Sequence, residues 1–275
     1  MLRVTLSLSK GGTHQEPEGL GAKPSGLMSG HSKWHNIKLK KGKVDAQRAA
    51  LFTKLSKEII LAAKGGSPDP EANYRLKMAV DKARQFNMPQ DNIKRAIARG
   101  SGSTGEKEIE EIRYEGHGPH GVAVVADLAT DNRNRTAGDL RFLFTKNGGT
   151  MGETGSVGWM FDAVGVIEVD PAGKPEDAFT EESLVDGVDD VEYDAEVATI
   201  YTNPTMLASV RDALRERGMK ISEAYLGMRP KTKINLEGEA LTAALAFLDA
   251  LEEHEDVQRV FSNLDLTDAQ VEALA

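Results

Sequence analysis

From Val44 onward the apolar positions of this chain recur at three- and four-residue spacing. Leu51, Phe52, Leu55, Ile59, Ala62 and Ala63 fall on one face of a helix, and Gly65-Gly66 ends it. Asp69-Pro70 reads as an N-cap followed by a first-turn proline, opening a second helix through Tyr74, Met78, Ala79, Ala83 and Phe86. Asn87-Met88-Pro89 breaks the chain, and a third helix is predicted from Pro89 to Arg99, with Gly100 as its cap. Three helices with short connections make a small bundle.

After residue 105 the period shortens to that of strands. Ile109–Glu115 and Val122–Leu128 read as strands joined by the turn Gly116-His-Gly-Pro-His-Gly121. A helix over Asn132–Lys146 turns Leu140, Leu143 and Phe144 inward and stops at Gly148-Gly149, and Val157–Phe161 reads as a strand. Then follow a strand at Gly165–Val169, a helix near Glu176–Asp186, strands at Val191–Tyr193 and Val197–Tyr201, a helix from Pro204 to Arg217 and a strand at Ile221–Gly227. That order, β-α-β-β-α-β, is the split βαβ, ferredoxin-like pattern. A strand at Lys231–Leu236, a helix at Glu237–Leu251 and a strand at Val257–Leu264 would complete the unit begun at residue 109. The predicted class is α+β: a three-helix domain over residues 28–100 and two α+β domains. One is discontinuous over 101–162 and 231–275, and the other is inserted into it at 163–230. Residues 1–27 show no sustained periodicity and are expected to be a disordered extension or an upstream start, with Met28 as the functional beginning.

Charge changes the picture more than composition does. The 275 residues carry a net −9, which by itself argues against a polyanion partner. Yet residues 28–100 hold sixteen Lys/Arg against six Asp/Glu, whereas 101–275 hold fifteen against thirty-five. A basic module joined to an acidic body points to nucleic acid, because Lys and Arg neutralise phosphates without needing a base sequence. The candidate contacts are Lys33, Trp34, Lys38, Lys40, Lys41, Lys43, Arg48, Lys54, Lys57, Lys94, Arg95 and Arg99. Arg133 and Arg135 join them from Asp131-Asn-Arg-Asn-Arg-Thr136, where polar residues cap a helix whose N-terminus already favours an anion.

Signals for other chemistry are weak. The absence of cysteine excludes a disulfide scaffold, a thiolate zinc site, an iron–sulfur cluster and a thiol nucleophile. The longest uncharged apolar run falls short of the ~18 residues of a membrane span. Gly100-Ser-Gly-Ser-Thr-Gly105 and Gly116-His-Gly-Pro-His-Gly121 match G-x-G-x-x-G, but neither sits between a strand and a helix, as a dinucleotide site requires. The second remains a candidate contact loop through Gly116, Gly118, Pro119 and Gly121, since glycine permits close backbone approach. His31 with His35, and His117 with His120, lack a third ligand, so no metal is expected. Acidic pairs such as Asp189-Asp190 and Glu252-Glu253 read as solvated charge. No catalytic residue and no cofactor are expected.

Met28-Ser-Gly-His-Ser-Lys-Trp-His-Asn-Ile-Lys38 resembles the start of the YebC family, which includes mitochondrial cytochrome oxidase translational activators. The resemblance continues through Lys40-Lys-Gly-Lys-Val-Asp-Ala-Gln-Arg48, Asn87-Met-Pro-Gln-Asp-Asn-Ile93 and Tyr114-Glu-Gly116, then Asp131–Thr136, Gly155-Ser-Val157 and Trp159-Met-Phe161. It implies a basic helical N-terminal domain, two α+β domains and no established enzymatic activity or cofactor. Family members are described as DNA-binding transcriptional regulators, and others as ribosome-binding factors that assist translation. The expectation is thus a cytoplasmic, monomeric, non-enzymatic regulator that binds DNA, with ribosomal RNA as the alternative target and no membrane partner.

Overall fold

The computed structural model describes residues 46–274. It opens on α1 (Ala46–Lys64), α2 (Tyr74–Gln85) and α3 (Gln90–Gly100). Leu55, Ile59 and Ala62 of α1 pack with Leu76, Ala79 and Ala83 of α2 and with Ile93 and Ala96 of α3. These are the three- and four-residue stripes of the sequence, folded face to face. Ile109 and Ala129 belong to the same cluster, so the bundle shares its core with the segment that follows.

The start of α2 differs from the expectation. Asp69 organises a turn, its side chain accepting from the Glu71 N–H at 3.0 Å, and the helix begins five residues later with Asn73 as its cap. Asn73 accepts from the Leu76 N–H at 3.1 Å and donates to the carbonyls of Ala62 and Ser67, both at 2.8 Å. One side chain thereby closes α1 and opens α2, which fixes the boundary. Nor does Gly100 cap α3. It stays helical and lets α3 approach α1 closely, where a Cβ would collide with the Ile60 carbonyl, and Ser101 follows as the cap.

The remainder is α+β. It runs β1 (Glu110–His117), β2 (Ala123–Thr130), α4 (Arg133–Lys146), β3 (Thr150–Met151), β4 (Phe161–Asp170), α5 (Glu176–Ser183), β5 (Val188–Glu192) and β6 (Ala198–Thr202). Then come α6 (Leu207–Glu216), β7 (Lys220–Pro230), β8 (Ile234–Asn235), α7 (Gly238–Glu253), β9 (Val257–Ser262), β10 (Leu264–Asp265) and α8 (Asp268–Leu274). One antiparallel sheet has the order β5-β6-β4-β7, the arrangement a split βαβ sequence produces, with Ile167, Ile200, Val210 and Leu214 in the core beneath α5 and α6. The other has the order β3-β1-β2-β9, and α4 and α7 cover one face of it. There Phe144 and Phe247 meet edge to face, 5.0 Å between centroids, the preferred geometry for an aromatic pair.

Two strand expectations are corrected. The segment 231–236 does not enter the sheet of β1, β2 and β9: only Ile234–Asn235 is extended, pairing in parallel with β10 in a separate ribbon. Thr150–Met151 takes the edge position beside β1 instead. Residues 158–160 form a 3-10 turn, and β4 begins only at Phe161, because the N–H groups of Val157 and Gly158 are drawn to a buried side chain rather than to a neighbouring strand. The C-terminal helix α8 had no counterpart in the periodicity.

Candidate nucleic-acid interface

Lys33, Trp34, Lys38, Lys40, Lys41 and Lys43, together with His31 and His35, lie outside the described residues, and Arg48 falls in the first turn of α1. The rest of the candidate contacts divide into two groups. Lys94 and Arg95 stand exposed on α3, and Arg133 projects from the first turn of α4 with its side chain 64 % exposed, 3.8 Å from Glu110. The other four are engaged with the protein itself. Lys54 donates to the Glu252 carbonyl, and Lys57 to the Glu255 carbonyl at 2.9 Å. Arg99 reaches Glu106 at 3.2 Å, the Lys107 carbonyl at 3.0 Å and Asp131 at 3.9 Å, and Arg135 reaches Asp131 at 3.3 Å.

Asp256 is the hub of this second group. Its carboxylate is wholly buried and accepts from Lys57, from Arg135 at 3.1 Å and from the Thr136 hydroxyl at 2.6 Å. Burial alone would push its pKa up, but the donated hydrogen bonds and the positive charge outweigh it and hold the pKa at about 2. Lys57 comes from α1 and Arg135 and Thr136 from α4, so one carboxylate ties the helical bundle to the sheet region. A second tie lies alongside, where Lys82 of α2 meets Glu223 of β7 at 3.1 Å. Part of the charge asymmetry in the sequence is thus an internal match between bundle and body.

The glycine loop is packed rather than open. Gly116, Gly118 and Pro119 are buried, and Gly121, with φ 82°, lies at the surface between the exposed His120 and β2. A Cβ on Gly116 would lie 2.5 Å from the Phe144 ring and 2.6 Å from the Thr150 carbonyl, and one on Gly118 would strike Phe247. The close approach that glycine permits is to the chain's own edge strand and core. Gly116→Ala is accordingly expected to lose about 1–3 kcal/mol by overpacking, read from urea unfolding, with the bundle helices unchanged by circular dichroism.

Sequence reasoning missed Glu115. Its carboxylate is buried and accepts three backbone N–H groups, from Gly155 at 2.9 Å, Val157 at 2.9 Å and Gly158 at 2.6 Å. Burial raises its pKa, the three donors lower it further, and the net value falls below the ordinary carboxylate range. No residue spacing announces such a site, because every partner is main chain. The loop it holds carries Trp159, a residue 68 % exposed. Glu192 was also passed over. Burial pushes its carboxyl up to about 7 against the Tyr201 hydroxyl, which donates at 2.9 Å, and the nearby Lys233 and Arg229. It also accepts from the Arg229 guanidinium at 3.2 Å, and that guanidinium lies over the Tyr201 ring, 4.4 Å from its centroid, closing a polar cluster.

Among the described residues no group of three His, Asp or Glu side chains is placed to hold a metal ion, and no helix is long and apolar enough to cross a membrane. The profile of the TACO1/YebC N-terminal domain matches residues 32–103, and that of the TACO1/YebC second and third domain matches 109–264. A relative from Pelotomaculum thermopropionicum, named "Probable transcriptional regulatory protein", is 49 % identical over 243 residues, covering 88 % of this chain and 100 % of the relative. One of the same name from Herpetosiphon aurantiacus is 47 % identical over 249 residues, covering 90 % and 99 %. The crystal structure of a conserved hypothetical protein from Aquifex aeolicus superposes with a TM-score of 0.76 at 41 % identity, over 82 % of this chain and 93 % of that one. With two family profiles running from residue 32 to residue 264 and relatives matched along nearly their whole length, the chain belongs to the TACO1/YebC family.

Proposed function

We propose that this protein is a non-enzymatic regulator of gene expression that binds nucleic acid through its N-terminal basic module, as a DNA-binding transcriptional regulator. The observation that carries the reading is the free cationic face of α3, where Lys94 and Arg95 stand in solvent within the block of sixteen Lys/Arg against six acids. The names of the relatives support the regulatory role. In this reading Lys54, Lys57, Arg99 and Arg135 orient the module on the body, and phosphate contact falls to the exposed cations. An acidic body repels a polyanion within about a Debye length, ~8 Å at physiological salt, so the basic face leads the approach.

A second reading, binding to RNA such as ribosomal RNA, is favoured by the exposed indole of Trp159, since unpaired bases offer faces that a stacked duplex does not. The Lys94→Ala/Arg95→Ala variant tests the shared electrostatics. Each lost phosphate contact on duplex DNA should lower the slope of log affinity against log salt by about 0.9, so the pair should lower it by about 2. An unchanged slope on both DNA and RNA would remove α3 from the interface. Footprinting on genomic DNA beside co-sedimentation with ribosomes separates the two targets. Reproducible hydrolysis of nucleotide, peptide or nucleic acid, lost on a single substitution, would overturn the non-enzymatic part of the reading.

A further inference from the structure

We infer that Trp159 is a stacking platform for an unpaired nucleobase, a second contact point remote in sequence from the basic module. The inference deepens the nucleic-acid reading and rests on it. Trp159 is the most exposed large apolar side chain among the described residues, yet it is held still. Its indole N–H donates to the Ser156 carbonyl at 3.2 Å, and its own carbonyl accepts from the Lys231 ammonium at 2.9 Å. On one side the loop is pinned by the three N–H bonds to Glu115 and by the fully buried Val157. On the other, the Lys231 N–H closes on the Met160 carbonyl at 2.9 Å, and Phe161 is buried at the start of β4.

An exposed ring on a rigid loop has already lost the freedom that binding would otherwise cost, so stacking on it needs no further ordering. With the indole N–H satisfied inside the loop, the ring presents its faces, which suit any base. The setting favours a nucleobase over a protein. An aromatic anchor in a protein interface is ringed by apolar contacts that exclude water. Here the loop beside the ring is Gly155, Ser156 and Gly158, and charge borders it: Lys231, which bonds the Trp159 carbonyl and pairs with Asp162 at 3.3 Å, and Glu115, which accepts the Gly158 N–H. A single-stranded or looped segment is therefore the ligand, because paired bases keep their faces stacked.

The test uses the full chain, with oligoadenylate, an abasic phosphodiester oligomer of the same length and a duplex as probes. Trp159→Phe leaves Trp34 as the only indole, so the difference in emission between wild type and this variant reports Trp159. Oligoadenylate should quench that difference signal, and the abasic oligomer and the duplex should not. Trp159→Ala should weaken oligoadenylate binding about tenfold, leave the other two probes within twofold, and keep the wild-type melting temperature, with Trp159→Phe intermediate. If all three probes bind while Trp159 stays silent and Trp159→Ala matches wild type, the platform is refuted and the electrostatic reading stands. If oligoadenylate, duplex and abasic oligomer all fail to bind at low salt, both are refuted. Loss of a protein partner on Trp159→Ala with nucleic-acid affinity unchanged would assign the ring to a protein surface and overturn the inference.

Discussion

An Asp256→Ala variant is expected to lose about 3 kcal/mol of stability at neutral pH, because it leaves the largely buried Lys57 ammonium without its carboxylate, while Arg135, its side chain 43 % exposed, can turn to water. The Thr136 hydroxyl loses its acceptor at the same time. The damage should concentrate where α1 meets the turn before β9. Amides of α1 should exchange faster, while those of β4, β6 and β7 keep their protection, and urea unfolding should shift to lower concentration. The acid limb offers an independent check. With the folded pKa held at about 2 against an ordinary 3.8, the contribution of Asp256 is in full force above about pH 5 and fades as the pH falls through 2. That difference corresponds to about 2 kcal/mol lost on acidification. Asp256→Asn should lack this part of the acid dependence, and a variant with an unaltered acid limb would show that Asp256 does not carry the latch.

Glu115→Ala is expected to cost about 2–4 kcal/mol, since it orphans the buried N–H of Val157 and the half-buried N–H of Gly158, and only the exposed Gly155 can turn to water without loss. Glutamine should recover part of this, its amide oxygen accepting while its NH₂ opposes one of the donors. Hydrogen exchange over residues 155–160 reads the effect locally, and the expected result is fast exchange there with the bundle unaffected. Because the Glu115 carboxyl is held below its ordinary range, its contribution is present above that range and wanes as acid protonates it, in the same direction as that of Asp256. Unchanged protection of the Val157 amide in Glu115→Ala would show that the loop is held by its apolar anchors alone.

Both residues mark the limit of what can be read without coordinates. The three helices and the β-α-β-β-α-β order were legible because burial writes a period of 3.6 or 2 into the apolar positions, and Leu55, Ile59, Ile167 and Ile200 do sit where that period places them. Asp69 misled because an aspartate before a proline serves a turn as well as a cap, and the choice was made by Asn73 through contacts eleven residues back. The pair Glu252-Glu253 reads as solvated charge, yet the Glu252 carbonyl receives Lys54 of α1, and, a few residues on, the Glu255 carbonyl receives Lys57 and Asp256 is wholly buried. Local sequence says that Lys54 and Lys57 are cations, but not that an acidic turn some two hundred positions later will meet them. Of the candidate phosphate contacts, Lys54 and Lys57 are bonded to that turn, while Lys94 and Arg95 on α3 reach solvent.

The strand order β3-β1-β2-β9 carries a consequence for the newborn chain. Strand β2 is buried on both faces and pairs along one side with β9, Val124 opposite Ser262. As the polypeptide leaves its exit tunnel, the sheet β5-β6-β4-β7 has all four strands once residue 230 has emerged. The earlier strands must wait. Until Val257–Ser262 arrives, β2 keeps an unpaired apolar edge, the kind of surface that sticks to other chains. Asp256 arrives in the same stretch, so the basic module can lock onto the body through this carboxylate only after residue 256 has emerged. A chain cut short before this segment would carry both an open edge and an undocked cationic bundle.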